Sequence, residues 1–178
     1  AARQDIRDDL DLISAMGGYY DLANIIKFHT THEPPPDPFG LWLFARYYAQ
    51  FLPEPDAQIF YEIADRKWRN PEADVSDLAK KLGPKGRQAL ALLTNKDPAK
   101  FDELLAALPP ELKNFLEVFN PKSAIANLKS EILLLHSVHD PVIPFEESQK
   151  LLRAFRESQK EAAFIELRVF DHVNPVLP

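Results

Sequence analysis

Two short stretches of this sequence carry titratable side chains that can work as a pair. One reads His-Ser-Val-His-Asp-Pro-Val-Ile-Pro over residues 136–144, and the other reads Asp-His-Val-Asn-Pro over residues 171–175. A carboxylate from the first and an imidazole from the second make an Asp–His couple, with Asp140 and His172 as its members. In such a couple the carboxylate selects the imidazole tautomer and stabilises the imidazolium, so the histidine can act as general base for a nucleophile. The same residues also have plainer roles. Asp140, just before Pro141, is of the type that forms Asx turns, and a histidine beyond a strand is often only a surface residue. His139 is expected in exposed loop. His136 closes an apolar run and is expected to be a hydrogen-bonded imidazole of the core.

Other chemistries are excluded or weak. The chain has 178 residues and no cysteine, which removes disulfides, thiolate nucleophiles and cysteine-based zinc sites. His29-x-x-His32-Glu33 and His136-x-x-His139-Asp140 invite a metal reading. Neither matches H-E-x-x-H, and pairs at that spacing arise by chance, so no metal and no cofactor is expected. The five glycines are Gly17, Gly18, Gly40, Gly83 and Gly86, with no two four or five apart, so neither G-x-S-x-G nor a P-loop can occur. A net charge of −6, with one interrupted basic cluster at Lys80, Lys81, Lys85 and Arg87, argues against nucleic acid as a partner. The apolar run at residues 132–135 falls far short of the ~20 residues of a membrane-spanning helix. The sequence assigns no compartment.

The elements that must position Asp140 and His172 fall into three zones, residues 1–22, 23–128 and 129–178. In the first, residues 10–18 form a short apolar segment stopped by Gly17-Gly18, which favours a buried strand. The second zone is helical throughout and punctuated by prolines, with helices expected at 41–51, 56–69, 74–82, 84–93, 98–108 and 110–119. The helix at 41–51 is rich in aromatics, among them Trp42, Phe44 and Tyr47. The third zone opens with residues 131–136, an apolar run of the kind buried on both faces of a parallel sheet. A helix over 145–157 and a strand over 164–170 follow. In that strand Ile165, Leu167 and Val169 are expected on one face and Glu166 and Arg168 on the other.

With these elements assembled, the sequence resembles the α/β-hydrolase family. The family's acid loop reads like H-G-x-x-D-x-x-[VI]-P after a strand of Leu, Ile and Val, and leads into a helix with a Glu-Ser pair. Here His136, Asp140, Ile143 and Pro144 stand in that register, with Glu147-Ser148 beyond and Ser137 in place of the usual glycine. The next strand and His172 resemble the segment that delivers the family's catalytic histidine, in the family's order of acid then base. The resemblance covers residues 120–178, and residues 13–22 look like the family's sixth strand. It implies a partial α/β-hydrolase fold: the last strands of a parallel sheet, with a large inserted helical cap at residues 23–128. It implies Asp140 and His172 as acid and base. Tyr19 and Tyr20 follow the strand end and Trp42 lies in the aromatic helix; all three are candidates for substrate contact, with core packing as the other reading.

One member of the family's machinery is missing. None of the seven serines has a glycine two residues before or after it. Residues 14–18, Ser-Ala-Met-Gly-Gly, imitate an elbow with Ala15 in the serine slot. Against that, Ile13 fills the place of the first glycine, and no further strand is visible before the acid strand. The expectation is therefore a C-terminal fragment, inactive alone, whose nucleophile lies in an upstream part of the same enzyme. The implied reaction is serine-esterase-like hydrolysis of a small-molecule ester or acyl substrate through an acyl-enzyme. The other reading is a non-catalytic protein of the same fold that holds an apolar ligand under the cap.

Overall fold

The run Glu-Ile-Leu-Leu-Leu-His-Ser forms the middle strand of a small parallel sheet, and both loops of interest are fixed by its neighbours. The computed structural model describes residues 7–34, 36–172 and 174–175. Within it the elements are β1 (Leu12–Met16), seven helices, and then β2 (Glu131–Ser137), α8 (Phe145–Glu157) and β3 (Ala162–Leu167). The seven are α1 (Leu22–Thr31), α2 (Phe39–Tyr48), α3 (Asp56–Arg69), α4 (Ser76–Ala79), α5 (Pro84–Leu93), α6 (Phe101–Ala106) and α7 (Pro110–Val118). A short antiparallel pair, β4 (Phe170–Asp171) and β5 (Asn174–Pro175), follows β3. The sheet order is β1-β2-β3 with both pairings parallel.

The chain divides into two compact units, one of Ala1–Ile25 with Val118–Pro178 and one of Ile26–Glu117. In the first, register does most of the work. Ala15 and Phe164 both stand opposite Leu134, so one face of the sheet carries Ile13, Ala15, Ile132, Leu134 and Phe164. These residues meet Leu151, Leu152 and Phe155 of α8, the apolar stripe that its helical spacing sets out, and together they form the core. The β1 and β2 ends are tied by the Gly17 N–H donating to Leu135 O at 2.9 Å.

The opposite face holds a finding that the expected strand did not anticipate. β3 starts at Ala162 and ends at Leu167, so Val169 lies beyond it. Phe164 turns to the α8 face, which sends Ile165 and Leu167 the other way, into register with Leu135 and Ser137. Met16, Leu135 and Ile165 thus line up on a face where Met16 is 42% and Ile165 46% exposed. Ile165 is therefore exposed although it lies on the apolar side of β3, and Phe164 on the other side is half-buried against α8.

In the helical unit, α2 and α3 pack around Ala45, Phe60 and Ile63, all fully buried. The buried Asp56 carboxylate accepts from the N–H groups of Gly83 and Gly86 at 2.6 and 2.8 Å, which caps the first turn of α5. A side chain at Gly86 would approach Asp56 Oδ2 to 2.9 Å, so the cap requires glycine there. The helix expected over 74–82 shortens to Ser76–Ala79, and the one expected over 98–108 opens with a 3-10 turn at Pro98–Lys100 before α6. Among the described residues no helix is long and apolar enough to cross a membrane.

The two faces of the sheet should respond differently to truncation. Leu134 is 1% exposed and Leu12 is 55% exposed. Leu134→Ala is expected to cost about 2–5 kcal/mol in a denaturant unfolding experiment, and Leu12→Ala about 0.5 kcal/mol or less. Equal costs would contradict the assignment of faces.

Candidate functional site

The site is built from three loops at the carboxyl ends of the strands. The loop after β2 delivers Asp140, whose backbone N–H donates to Ser137 O at 3.3 Å. Its carboxylate then does two things at once. Oδ1 accepts from the Val142 and Ile143 N–H groups, both at 2.8 Å, which closes an Asx-type turn before α8. Oδ2 faces the His172 Nδ1 at 2.8 Å. The turn and the contact with His172 are thus compatible, because each uses a different oxygen of Asp140. The Asp140 side chain is fully buried and that of His172 is 26% exposed.

His172 is presented by the connection between β4 and β5, with φ +53°, in the left-handed region that few side chains adopt. That backbone turns the imidazole back toward the end of β1. There Gly17, at φ +62°, leaves the space the ring needs: a Cβ at this position would come within 3.2 Å of His172 Cε1 and 3.5 Å of Asp140 Oδ2. Glycine at 17 is required twice, by its dihedral and by this close approach.

Burial works to raise the Asp140 pKa, but hydrogen bonds from His136, the Ile143 N–H, His172 and the Val142 N–H outweigh it and hold the carboxyl at about 2. It is a carboxylate throughout the physiological range. An acceptor-only group on Nδ1 forces the proton of a neutral His172 onto that nitrogen and leaves Nε2 bare. A bare Nε2 on a partly exposed ring is a base in search of a proton donor.

The other residues singled out from the sequence fall in different settings. Tyr19 donates its hydroxyl to Phe119 O at 3.0 Å, and burial pushes its pKa up. It also lines a cleft of about 570 Å³ together with His172, Gly17, Ile13, Leu134 and Leu151. Tyr20 packs against the sheet core instead. Trp42 is 6% exposed within the core of the helical unit. His139 is exposed and His136 fully buried, as their positions suggested. Among the described residues, no group of three or more histidine and carboxylate side chains converges as a metal site.

Two supports were not read from the sequence. Glu147, buried in the first turn of α8, accepts from the N–H groups of Tyr20 and Asp21 at 3.2 and 2.9 Å, and so locks the chain that leaves β1. Ser148 links His136 Nδ1, 2.6 Å away, to Gly18 O, 2.7 Å away. The Glu147-Ser148 pair was visible as a motif, but nothing local to it identifies partners more than a hundred residues earlier.

No protein-family model matches the chain, and no curated protein does. Among solved structures, the chain is similar to an acylaminoacyl peptidase in complex with Z-Gly-Gly-Phe-chloromethyl ketone, at 16% identity and a TM-score of 0.33, over 67% of this chain and 24% of that one. It is also similar to the Pyrococcus horikoshii acylaminoacyl peptidase in an orthorhombic crystal form, at 14% identity and a TM-score of 0.34, over 73% of this chain and 26% of that one. The chain thus spans about a quarter of the length of these peptidases.

The lowered Asp140 pKa has a consequence for acid stability. A carboxyl whose folded pKa lies below its unfolded one contributes stability that is fully present above about pH 4 and is lost as the pH falls through the folded value. Urea unfolding between pH 5 and 2 should show wild type losing about 2 kcal/mol more than Asp140→Asn. Parallel losses in the two proteins would mean that the buried hydrogen bonds to Asp140 do not hold it ionised.

Proposed function

We propose that this chain carries the acid and base of a serine hydrolase of the α/β-hydrolase type. The observation that supports it most is the Asp140 Oδ2–His172 Nδ1 contact at 2.8 Å, with the couple buried on its acid side and open on its base side. Asp140 orients His172 and stabilises its imidazolium. His172 Nε2 takes the proton of a serine hydroxyl as that oxygen attacks an ester carbonyl, then returns it to the leaving alcohol. Water activated by the same nitrogen releases the acyl group. The apolar cleft beside His172, walled by Ile13, Leu134 and Leu151, suits the apolar part of an ester or acyl substrate.

In this reading the serine and the oxyanion donors come from a further part of the enzyme. Two features support that. Among the described residues β1 pairs on one side only, and the sheet face with Met16 and Ile165 is uncovered. A parallel sheet is ordinarily covered on both faces. The helical unit, Ile26–Glu117, takes the part of an inserted cap.

Kinetics on the complete polypeptide that contains this chain provide the test. His172→Ala and Asp140→Asn are each expected to lower kcat for a small ester by about 10⁴-fold, with serine labelling by a fluorophosphonate in the parent enzyme. Near-normal turnover by Asp140→Asn would sink the assignment. Ester turnover by residues 1–178 alone, abolished by His172→Ala, would overturn the location of the serine. Binding of an apolar ligand in the cleft without fluorophosphonate labelling would favour a non-catalytic protein instead.

A further inference from the structure

His136 has no part in the mechanism above, yet it is fully buried and surrounded by polar contacts. Its Nε2 lies 3.0 Å from Ile143 O and 3.2 Å from Asp140 Oδ2. Both of those partners are acceptors only, so the nitrogen between them must carry a proton. On the other side of the ring, Nδ1 is 2.6 Å from the Ser148 hydroxyl, and the edge of Phe145 stands against the ring at 5.6 Å between centroids. The ring is therefore fixed in plane and in tilt.

The consequence lies at Oδ2. This single oxygen accepts from His172 Nδ1 at 2.8 Å and shares the His136 Nε2–H, 3.2 Å away, with Ile143 O at 3.0 Å, while Oδ1 accepts from two backbone N–H groups. Two donors on one oxygen compete for the same negative charge. We propose that His136 is a positioning residue of the Asp140–His172 couple: by donating to Oδ2 it limits the charge that this oxygen presents to His172, and so sets how tightly His172 holds its second proton. The role rests on the reading of His172 as a base, and its test does not require catalysis.

Asp171, next to His172 in the chain, is exposed. Glu166 of β3 stands opposite His136 in register and is exposed. On α8, Glu147 is committed to the Tyr20 and Asp21 N–H groups and to Lys150 at 2.5 Å. His139, in the same loop as Asp140, is exposed.

The experiment is an NMR titration of the histidine side chains of the 178-residue chain, with nitrogen-15 detection. His136→Leu removes the competing donor and is expected to raise the proton affinity of His172 by about threefold to tenfold. His136→Gln, whose amide can donate to the same oxygen, should return it to within about twofold of wild type. Ser148→Ala keeps the ring but removes its Nδ1 partner, and should shift His172 in the same direction by less. A merely structural His136 would lower Tm in these variants and leave the His172 titration where it is. The proposal is overturned if His136→Leu titrates like wild type, or if His136→Gln is shifted as far as His136→Leu. If His136→Leu does not fold, Ser148→Ala decides: an unchanged His172 midpoint overturns the proposal. Asp140→Asn separates the two levels of argument, since a His172 midpoint that fails to fall there removes the couple itself.

Discussion

Everything in the first unit depends on one buried carboxylate having a partner for each of its oxygens. An ionised Asp140 with an unsatisfied oxygen would be costly in a site that excludes water. Two backbone N–H groups of its own loop and the His172 Nδ1–H meet that cost, helped by the His136 Nε2–H that Oδ2 shares with Ile143 O. The loop after β2 is consequently closed by the same side chain that orients His172. Turn formation and orientation of the His172 imidazole cannot be separated at this residue.

The parallel register explains why the donors arrive together. β2 is flanked by β1 and β3 in the same direction, so their carboxyl ends all open at one edge, where α/β proteins gather functional groups. Gly17 at the end of β1 yields space to the His172 ring, and Gly18 takes the hydrogen bond from Ser148. Glu147 then fixes the chain that departs from β1. The Asp140 loop, the His172 segment and the β1 end thus form one hydrogen-bonded layer above the core of Leu134, Leu151 and Phe155.

How much of this was legible beforehand varies by the kind of signal each residue leaves. β2 and α8 were plain, because an unbroken apolar run and a stripe at helical spacing have few other solutions. That Asp140 and His172 could meet was legible through residue type and loop position. For β3 the alternation showed which residues share a face but not which face meets α8: Ile165 and Leu167 share one, and Phe164, on the other, packs against the core. Trp42 left an ambiguous signal, since an aromatic at helical spacing looks the same in a core and beside a cleft, and it lies in the core of its unit. Glu147 was opaque for a different reason. A carboxylate in the first turn of a helix already makes sense beside the helix dipole, so nothing marked it as the partner of N–H groups at Tyr20 and Asp21.

The central claim is that Asp140 dictates the state of His172, and the imidazole tautomer reports this most directly. Side-chain nitrogen-15 shifts of His172 at a pH where the ring is neutral distinguish a protonated Nδ1 from a protonated Nε2. With the Asp140 carboxylate 2.8 Å from Nδ1, the proton is expected on Nδ1, with Nε2 bare. A neutral His172 carrying its proton on Nε2, with Nδ1 unprotonated beside Asp140, would contradict it.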